Sequence, residues 1–395
     1  MREMKDSGVE WIGEVPANWR LTKIGQVYDL RNTKVSDFDY EPLSVTMQGI
    51  VPQLDSAAKT DAHDARKLVL KGDFVINSRS DRRGSCGIAE QNGSVSLINT
   101  VLIPRDSMEP RFYDWLFHTS LFADEFYRNG HGLVDDLWTT KWSEMKGITI
   151  VEPSLREQTR IADYLDERCA AIDDDVAKRR EIIEKLKEYK KSLIAHAVTK
   201  GLDPDAETKD SGVEWIGEVP ADWEVVPIKA SVSIGHGSDP VLTGDVPVWG
   251  SGNEPFKTCG EYKDGPTVLL GRKGTLDCPQ LVTGRYWNVD TAFDTKIVDR
   301  KLDLKFFYYT AICVDIKPYM TNTAKPSMTQ FDWGNSRIPR PSLFEQRRII
   351  SYLDERCANI DEAISRQEQL IEKLGEYRKS IIHHAVTGKI DCTEA

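Results

Sequence analysis

PSLREQTRIADYLDERCAAID, residues 153–173, returns as PSLFEQRRIISYLDERCANID at residues 341–361. The likeness runs on through EKLKEYKKSLIAHAVTKGLD (184–203) and EKLGEYRKSIIHHAVTGKID (372–391), so that about 30 of 51 aligned positions are identical. A repeat is read before anything else, because overlooking one misassigns the whole fold. A shorter segment is repeated too. KDSGVEWIGEVPANW (5–19) returns as KDSGVEWIGEVPADW (209–223), where Asp222 in place of Asn18 is the single change. The order is short segment, variable region, long segment, and then the same again. The variable regions, about 20–152 and 224–340, are almost unrelated. One frame carried twice implies repeated contacts, either of the copies with each other or with two copies of one partner. Unlike inserts imply that two different things are read.

The long segments read as helices. Ser154 and Ser342 precede Glu157 and Glu345 by three positions, each just after a proline, which is the capping-box spacing of a helix start. Gly201 and Gly388 lie near the far ends, where helices stop. Steps of four and three pick out Leu165, Cys169, Ile172, Val176, Arg179, Ile183, Leu186, Lys190 and Leu193. The second copy gives Leu353, Cys357, Ile360, Ile364, Gln367, Ile371, Leu374, Arg378 and Ile381. This is a heptad seam interrupted by polar positions and flanked by charge. A helix over about 155–199 would be on the order of 65 Å long. It cannot bury its seam alone, and its own copy is the obvious mate. Parallel pairing would need the second variable region to carry the chain back along the helix; antiparallel pairing is favoured, with the variable regions at opposite ends about a pseudo-two-fold axis. Arg179 and Gln367, at matching seam positions, are expected to fix register at some cost in stability. Ordinary bundle helices are the alternative, and the pattern sustained over several heptads favours the coiled coil.

Composition bounds the rest. The chain has 395 residues, 40% of them apolar and 29% charged, ordinary for a globular protein with two or more domains. Its apolar runs fall far short of the roughly 18 residues that span a bilayer. MREMKDSGVEW at the N-terminus lacks the apolar stretch of a signal peptide, so a cytoplasmic location without a membrane partner is expected. Seven scattered cysteines without C-x-x-C spacing argue against a disulfide framework and against a zinc site. A net charge of −11 counts against a broad basic footprint, so charge has to be sought locally.

It is found in the variable regions, which read as mixed α/β with many short strands. LVLKGDFVINSRSDRRGSCGIAEQNGSVSLINTVLI (68–103) and TVLLGRKGTLDCPQLVTGRYWNVDTAFDTKIV (267–298) share one faint pattern. An apolar strand leads into a basic, glycine-bearing turn, VINSRSDRRG in one and VLLGRKG in the other. Residues 66–83 hold Arg66, Lys67, Lys71, Arg79, Arg82 and Arg83 against Asp73 and Asp81. Arg and Lys on loops contact phosphates, and Arg binds guanine bidentately. Asn77, Ser78, Arg79, Arg82, Arg83, Arg272 and Lys273 are therefore the first nucleic-acid candidates, with a solvated hairpin turn as the alternative. His131, Lys141, Asn322, Thr323, Lys325 and Ser327, in loops before each long helix, form a second set. Catalytic motifs are missing. GSGNEP (250–255) lacks a third glycine and a following helix, and GRKGT (271–275) is too short for a phosphate-binding loop. His383 and His384 form no ligand spacing, and Asp73 has no acid-x-lysine grouping after a strand. Intrinsic catalysis is not expected.

These residues resemble a known family. The two-fold frame, the P-S-L-x-E-Q opening of each long helix, the DSGVEWIGEVPAxW segments and the GDFVINSR and TVLLGRKG strands look like the specificity subunit of a type I DNA restriction–modification system. The resemblance covers essentially the whole chain. It implies an α+β fold in which two α/β target-recognition domains are separated by two long helices forming an antiparallel coiled coil, an internal pseudo-two-fold duplication. The first recognition domain is expected over 1–152, the first spacer helix over 153–203, the second recognition domain over 204–340, and the second spacer helix with a tail over 341–395.

The resemblance also implies partners. Each domain would read one half of a bipartite site on double-stranded DNA, with the halves about one helical turn, roughly 34–36 Å, apart. Two methyltransferase (modification) subunits would dock on the repeated frame and methylate adenine with S-adenosylmethionine. Restriction subunits would supply ATP- and Mg-dependent translocation and cleavage. The chain itself would hold no cofactor and do no chemistry. Trp11, Ile12, Trp215 and Ile216 would pack the short segments onto the helix ends or the partner, core packing being the equal alternative. Two competing readings are a non-DNA coiled-coil scaffold whose inserts bind protein, and a standalone nuclease or methyltransferase.

Overall fold

The structure, a computed structural model, describes residues 2–54, 63–79, 82–132, 138–317 and 326–392. It divides into two compact units, Met1–Arg179 with Gln369–Ala395, and Arg180–Glu368. Each unit takes part of both long helices, which span Leu155–Lys200 and Leu343–Val386.

Both helices begin at the expected serines. The Glu157 N–H lies 3.4 Å from Ser154 Oγ, and the Glu345 N–H lies 3.3 Å from Ser342 Oγ. Both stop at glycine. Gly201 and Gly388 have φ of +75° and +72°, the left-handed turn that a side chain strains. In the first unit Leu165, Cys169 and Ile172 of the first helix share a core with Ile381, Ile382, Ala385 and Val386 of the second. In the second unit Ile349, Leu353 and Cys357 of the second helix share a core with Ile194, Ala197 and Val198 of the first. Within each unit, then, the start of one helix lies against the end of the other, and the pairing is antiparallel.

Burial follows the seam. Ile183 and Ile360 are buried, and Val176, Leu186, Ile364, Ile371 and Leu374 are half-buried. One ion pair is made twice. Arg378 reaches Asp173 at 3.3 Å in the first unit, and Lys190 reaches Asp361 at 2.7 Å in the second. Asp361 matches Asp173 in the repeat, and Arg378 matches Lys190.

The two inserts share a sheet although their sequences do not match. In the first unit Phe74–Asn77 lies between Cys86–Ile88 and Asn99–Pro104, with Tyr28–Arg31 beyond, all antiparallel. In the second unit Thr267–Gly271 lies between Gln280–Val282 and Ala292–Ile297, with Val232–His236 beyond, again antiparallel. Each insert is closed just before its long helix by a strand pair, Arg20–Lys23 with Thr149–Glu152 and Glu224–Pro227 with Arg337–Arg340. The remaining strands differ. The second unit has a four-stranded sheet in which Val246–Trp249 runs parallel to Arg285–Asn288, while the first has a three-stranded sheet and the hairpin Leu43–Pro52.

Repeated residues hold each insert. A helix lies against each sheet, Pro110–Phe117 in the first unit and Leu304–Cys313 in the second. Gln158 donates to the Pro153 carbonyl and accepts from the Glu109 N–H, both at 2.9 Å. Gln346 does the same with Pro341 and Asp303, both at 2.8 Å. Two turns on, Asp166 accepts from Trp115 Nε1 at 2.8 Å and from Arg111 at 2.7 Å. Asp354 accepts from the Tyr309 hydroxyl and from Lys305 Nζ, both at 2.7 Å. The Gln and the Asp are identical in the two copies. Their partners change chemistry but keep their geometry.

The short segments also belong to the cores. The Val9 carbonyl accepts from the Ile12 and Gly13 N–H groups, and the Val213 carbonyl from those of Ile216 and Gly217. This turn carries Trp11 onto Phe122, ring centroids 5.9 Å apart. Trp11 and Ile12 are buried in the first core and Ile216 in the second, with half-buried Trp215 packed against it. Of the two alternatives for these four, Trp11, Ile12 and Ile216 take the core packing, while Trp215 packs against the second core and stays partly exposed. Trp19 and Trp223 are buried next to Gly388 and Gly201, so each short segment covers the end of a long helix.

Candidate nucleic-acid interface

Both basic turns leave the same strand of the common sheet. In the second unit the turn follows Thr267–Gly271, a fully buried strand. Its backbone is held from several sides. The Arg272 N–H donates to Thr291 O at 2.8 Å, and the Met328 N–H donates to Arg272 O at 3.0 Å. Lys273 pairs with Ser327 as an isolated antiparallel bridge, so one second-set residue does meet the turn. Asn322, Thr323 and Lys325 lie outside the described residues. The amides of Arg272, Lys273 and Gly274 are taken by carbonyl groups of this chain and form no phosphate cradle.

In the first unit the turn follows Phe74–Asn77. Arg79 forms an isolated bridge with Thr139, and Thr139 forms another with His131. The Thr140 N–H donates to Ser78 O at 3.0 Å. The loop before the long helix thus meets the turn here as in the second unit. Arg79, Arg82, Arg83, His131 and Lys141 are exposed. The Arg83 guanidinium lies 3.8 Å over the Tyr127 ring and 3.3 Å from Asp124. Tyr127 stacks in turn on Trp138, centroids 5.5 Å apart, and the Trp138 indole donates to Tyr127 O at 2.9 Å. A small cavity opens beneath, lined by Arg79, Arg83, Phe122, Tyr127 and Trp138.

Several candidates turn out to be framework. Asn77 and Ser78 are buried. Asn77 Oδ1 accepts from the Arg79 N–H at 3.0 Å, and Ser78 Oγ lies 3.0 Å from Thr100 Oγ1. Their expected place on the contact surface is corrected: they shape the turn from within. Arg66 is buried on Ser94, and Lys67 donates to Asn99 O at 2.6 Å. Burial lowers the pKa of both. Asp73 is buried and takes two bonds from Arg31, at 2.6 and 2.9 Å.

One cluster has the look of a nucleophile site. Cys86 Sγ lies 3.8 Å from His118 Nε2, and His118 Nδ1 lies 3.4 Å from Asp114. Burial pulls the His118 pKa down, but hydrogen bonds to Asp114 and Cys86 outweigh it and push it up to about 11. The Cys86 thiol is fully buried and its pKa is raised by that burial, so it is a core group and no accessible nucleophile.

Sequence reasoning passed over Tyr127, Trp138 and Asp290. Asp290 has a carboxylate oxygen 3.4 Å from Arg272 and 3.7 Å from Lys273. No spacing rule joins these residues to the turns. The helix Ser120–Arg128 brings Tyr127 there, the loop before the long helix brings Trp138, and the turn before the strand Ala292–Ile297 brings Asp290.

The chain is similar along its whole length to the specificity subunits of type I restriction enzymes. It is 26% identical to the type I restriction enzyme MjaVIII specificity subunit of Methanocaldococcus jannaschii, covering 95% of this chain and 94% of that one. It is 23% identical to the putative MjaX specificity subunit of the same organism (96% and 95% covered) and 19% identical to the EcoDI specificity subunit of Escherichia coli (96% and 90%). No protein-family profile matches. Among solved structures, a chain from a study of complex assembly and conformational transition in the type I restriction–modification system superposes with a TM-score of 0.73 at 16% identity, covering 95% of this chain and 99% of that one. The HsdS subunit of Thermoanaerobacter tengcongensis gives 0.52 at 18% identity, with 95% and 98% covered. These solved structures share the duplicated α+β fold. Among the described residues, no helix is long and apolar enough to cross a membrane.

Proposed function

We propose that this chain is the DNA-specificity subunit of a type I restriction–modification complex. The observation that carries this reading is that two inserts of unlike sequence present unlike basic turns from the same strand of the same sheet. That is what reading two different half-sites with one scaffold requires. The first turn would read one half of a bipartite, asymmetric site and the second turn the other. The long helices would set the gap between the halves. Cations confined to two turns suffice on a chain of net charge −11 if partner subunits neutralise most of the phosphates.

The chain would act without catalysis of its own. Two modification subunits would bring S-adenosylmethionine and methylate adenine, and restriction subunits would bring ATP and Mg. Docking of two copies of one partner is supported by a repeated pattern of exposed apolar side chains. Leu155, Ile182 and Tyr189 of the first helix are 47%, 44% and 58% exposed, and Leu343, Leu370 and Tyr377 at the matching positions of the second are 36%, 39% and 54% exposed. Apolar groups kept uncovered at the same three places in both copies fit a shared partner surface.

The test is genome-wide mapping of methylated adenine in cells that carry this chain with its methyltransferase, and in cells that lack it. A bipartite motif with unlike halves, gone on deletion, is expected. Exchange of residues 20–152 should then alter one half only. Removal of one heptad from each long helix should change the gap or abolish recognition. Methylation unchanged on deletion, with the methyltransferase active, would replace this reading with that of a protein-binding scaffold.

A further inference from the structure

The second basic turn offers a ligand its side chains and nothing else. The Gly271 carbonyl accepts from Trp333 Nε1 at 2.9 Å. The Arg272 and Lys273 N–H groups both point at Thr291 O, at 2.8 and 3.3 Å, and the Gly274 N–H donates to Pro326 O at 2.9 Å. Arg272 O accepts from the Met328 N–H at 3.0 Å, and Lys273 O accepts from Ser251 Oγ at 2.7 Å. Every backbone donor and acceptor from the Gly271 carbonyl to the Gly274 amide thus has a partner within the second unit. The turn is a rigid mount for two cations.

Both cations face one carboxylate. Asp290 Oδ2 lies 3.4 Å from Arg272 Nη1 and 3.7 Å from Lys273 Nζ, and the same guanidinium nitrogen donates to the Asp290 carbonyl at 3.0 Å. The side chains of Arg272, Lys273 and Asp290 are 32%, 49% and 51% exposed, so a polyanion reaches all three together. Asp290 is not needed to hold the turn backbone, which other groups hold. Its carboxylate acts on the cations alone.

We propose that Asp290 is a specificity-determining residue, an internal competitor that keeps Arg272 and Lys273 from binding duplex DNA of arbitrary sequence. The inference rests on reading this turn as a DNA contact. A phosphate approaching the two cations meets the charge of Asp290 and has to displace it. A guanine edge brings neutral acceptors, O6 and N7, and binds the guanidinium with the carboxylate still in place. The repulsive element therefore weakens the sequence-independent mode more than the specific one, and so widens the difference between them.

The experiment uses the full chain assembled with its modification subunits. Binding is measured, as a function of KCl concentration, to a duplex carrying the mapped motif and to one with the second half scrambled. Asp290→Asn should tighten binding to the scrambled duplex several-fold and change binding to the motif less. It should also steepen the salt dependence on the scrambled duplex by about one unit, as one added phosphate contact does. Asp290→Glu should restore the wild-type ratio. If Asp290→Asn weakens both duplexes alike, or changes neither, Asp290 does not compete and the proposal is overturned. Arg272→Ala separates the two levels: if that variant binds the motif as tightly as wild type, the turn does not touch DNA, and the underlying reading fails whatever Asp290 does.

Discussion

The two basic turns leave the same strand of the same sheet, and both are tied by backbone bonds to the loop before a long helix, yet their cations are held differently. The second is locked through its backbone, and a carboxylate holds its cations. The first is tied by the bridge of Arg79 to Thr139 and by the Thr140 N–H on Ser78 O, with Asn77 and Ser78 bracing it from inside, and Arg83 lies over Tyr127, which packs on Trp138. A planar guanidinium on an aromatic face turns its edge to hydrogen-bond partners, and here Asp124 meets that edge at 3.3 Å. The frame beneath shows the reverse. There the repeated Gln and Asp keep their roles, and the insert adapts Arg111 and Trp115 in one unit to Lys305 and Tyr309 in the other.

The largest expected effect would break the comparison at the turns. Arg79→Ala should relax recognition at one half of the methylated motif and Arg272→Ala at the other, each costing about 1–3 kcal/mol of discrimination. Methylation mapping reads both. Loss at the same half in both variants would mean that the turns do not read separate halves.

The next effect concerns the two helix ends. A Cβ on Gly388 would stand 2.4 Å from Pro16 Cγ and 2.9 Å from the Trp19 ring, whereas one on Gly201 would stand 3.2 Å from the Trp223 ring. Both glycines have positive φ. Gly388→Ala should therefore cost about 2–3 kcal/mol and Gly201→Ala about 1 kcal/mol, as read by urea denaturation. Equal losses would mean that the two short segments cover the helix ends equally tightly.

Asp166→Asn and Asp354→Asn sharpen the comparison of the clamps. Each should destabilise its own unit by about 1 kcal/mol, since both carboxylates are partly exposed and screened. Hydrogen exchange in the helices Pro110–Phe117 and Leu304–Cys313 would locate each loss. Smallest is the duplicated ion pair on the helices. Double-mutant cycles on Asp173 with Arg378 and on Asp361 with Lys190 should each give about 0.2–1 kcal/mol, falling with added salt.

Much of the fold was legible because helices write themselves locally. The serine caps, the seam from Leu165 to Leu193 and the terminal glycines are all set by residues within a few positions of one another. The sheets were less legible. Short strands joined by turns leave pairing partners open, and the faint run of strand and basic turn shared by the two inserts did not give their strand order. The site was legible only in part. Arg79, Arg83, Arg272 and Lys273 stood out as charge in turns. Asn77 and Ser78, read as contacts, proved to be braces, because position beside a basic residue does not tell which way a side chain points. For Trp11 and Ile12 the choice between core and partner stayed open, since a repeated motif marks repeated contacts without saying whether they are internal.

By itself, the sequence determined the duplication, the long helices with their seam, and the location of the cations. These depend on identity between copies and on the 3.6-residue period, both of which are local. The tertiary structure alone decided that the turns occupy one topological place in two unrelated inserts, that Asp290 faces both cations of the second, and that Tyr127 and Trp138 support the first. Those relations join residues that are not neighbours in the chain, and side chains meet there only because strand pairing, helix packing and the loops before the long helices bring them together.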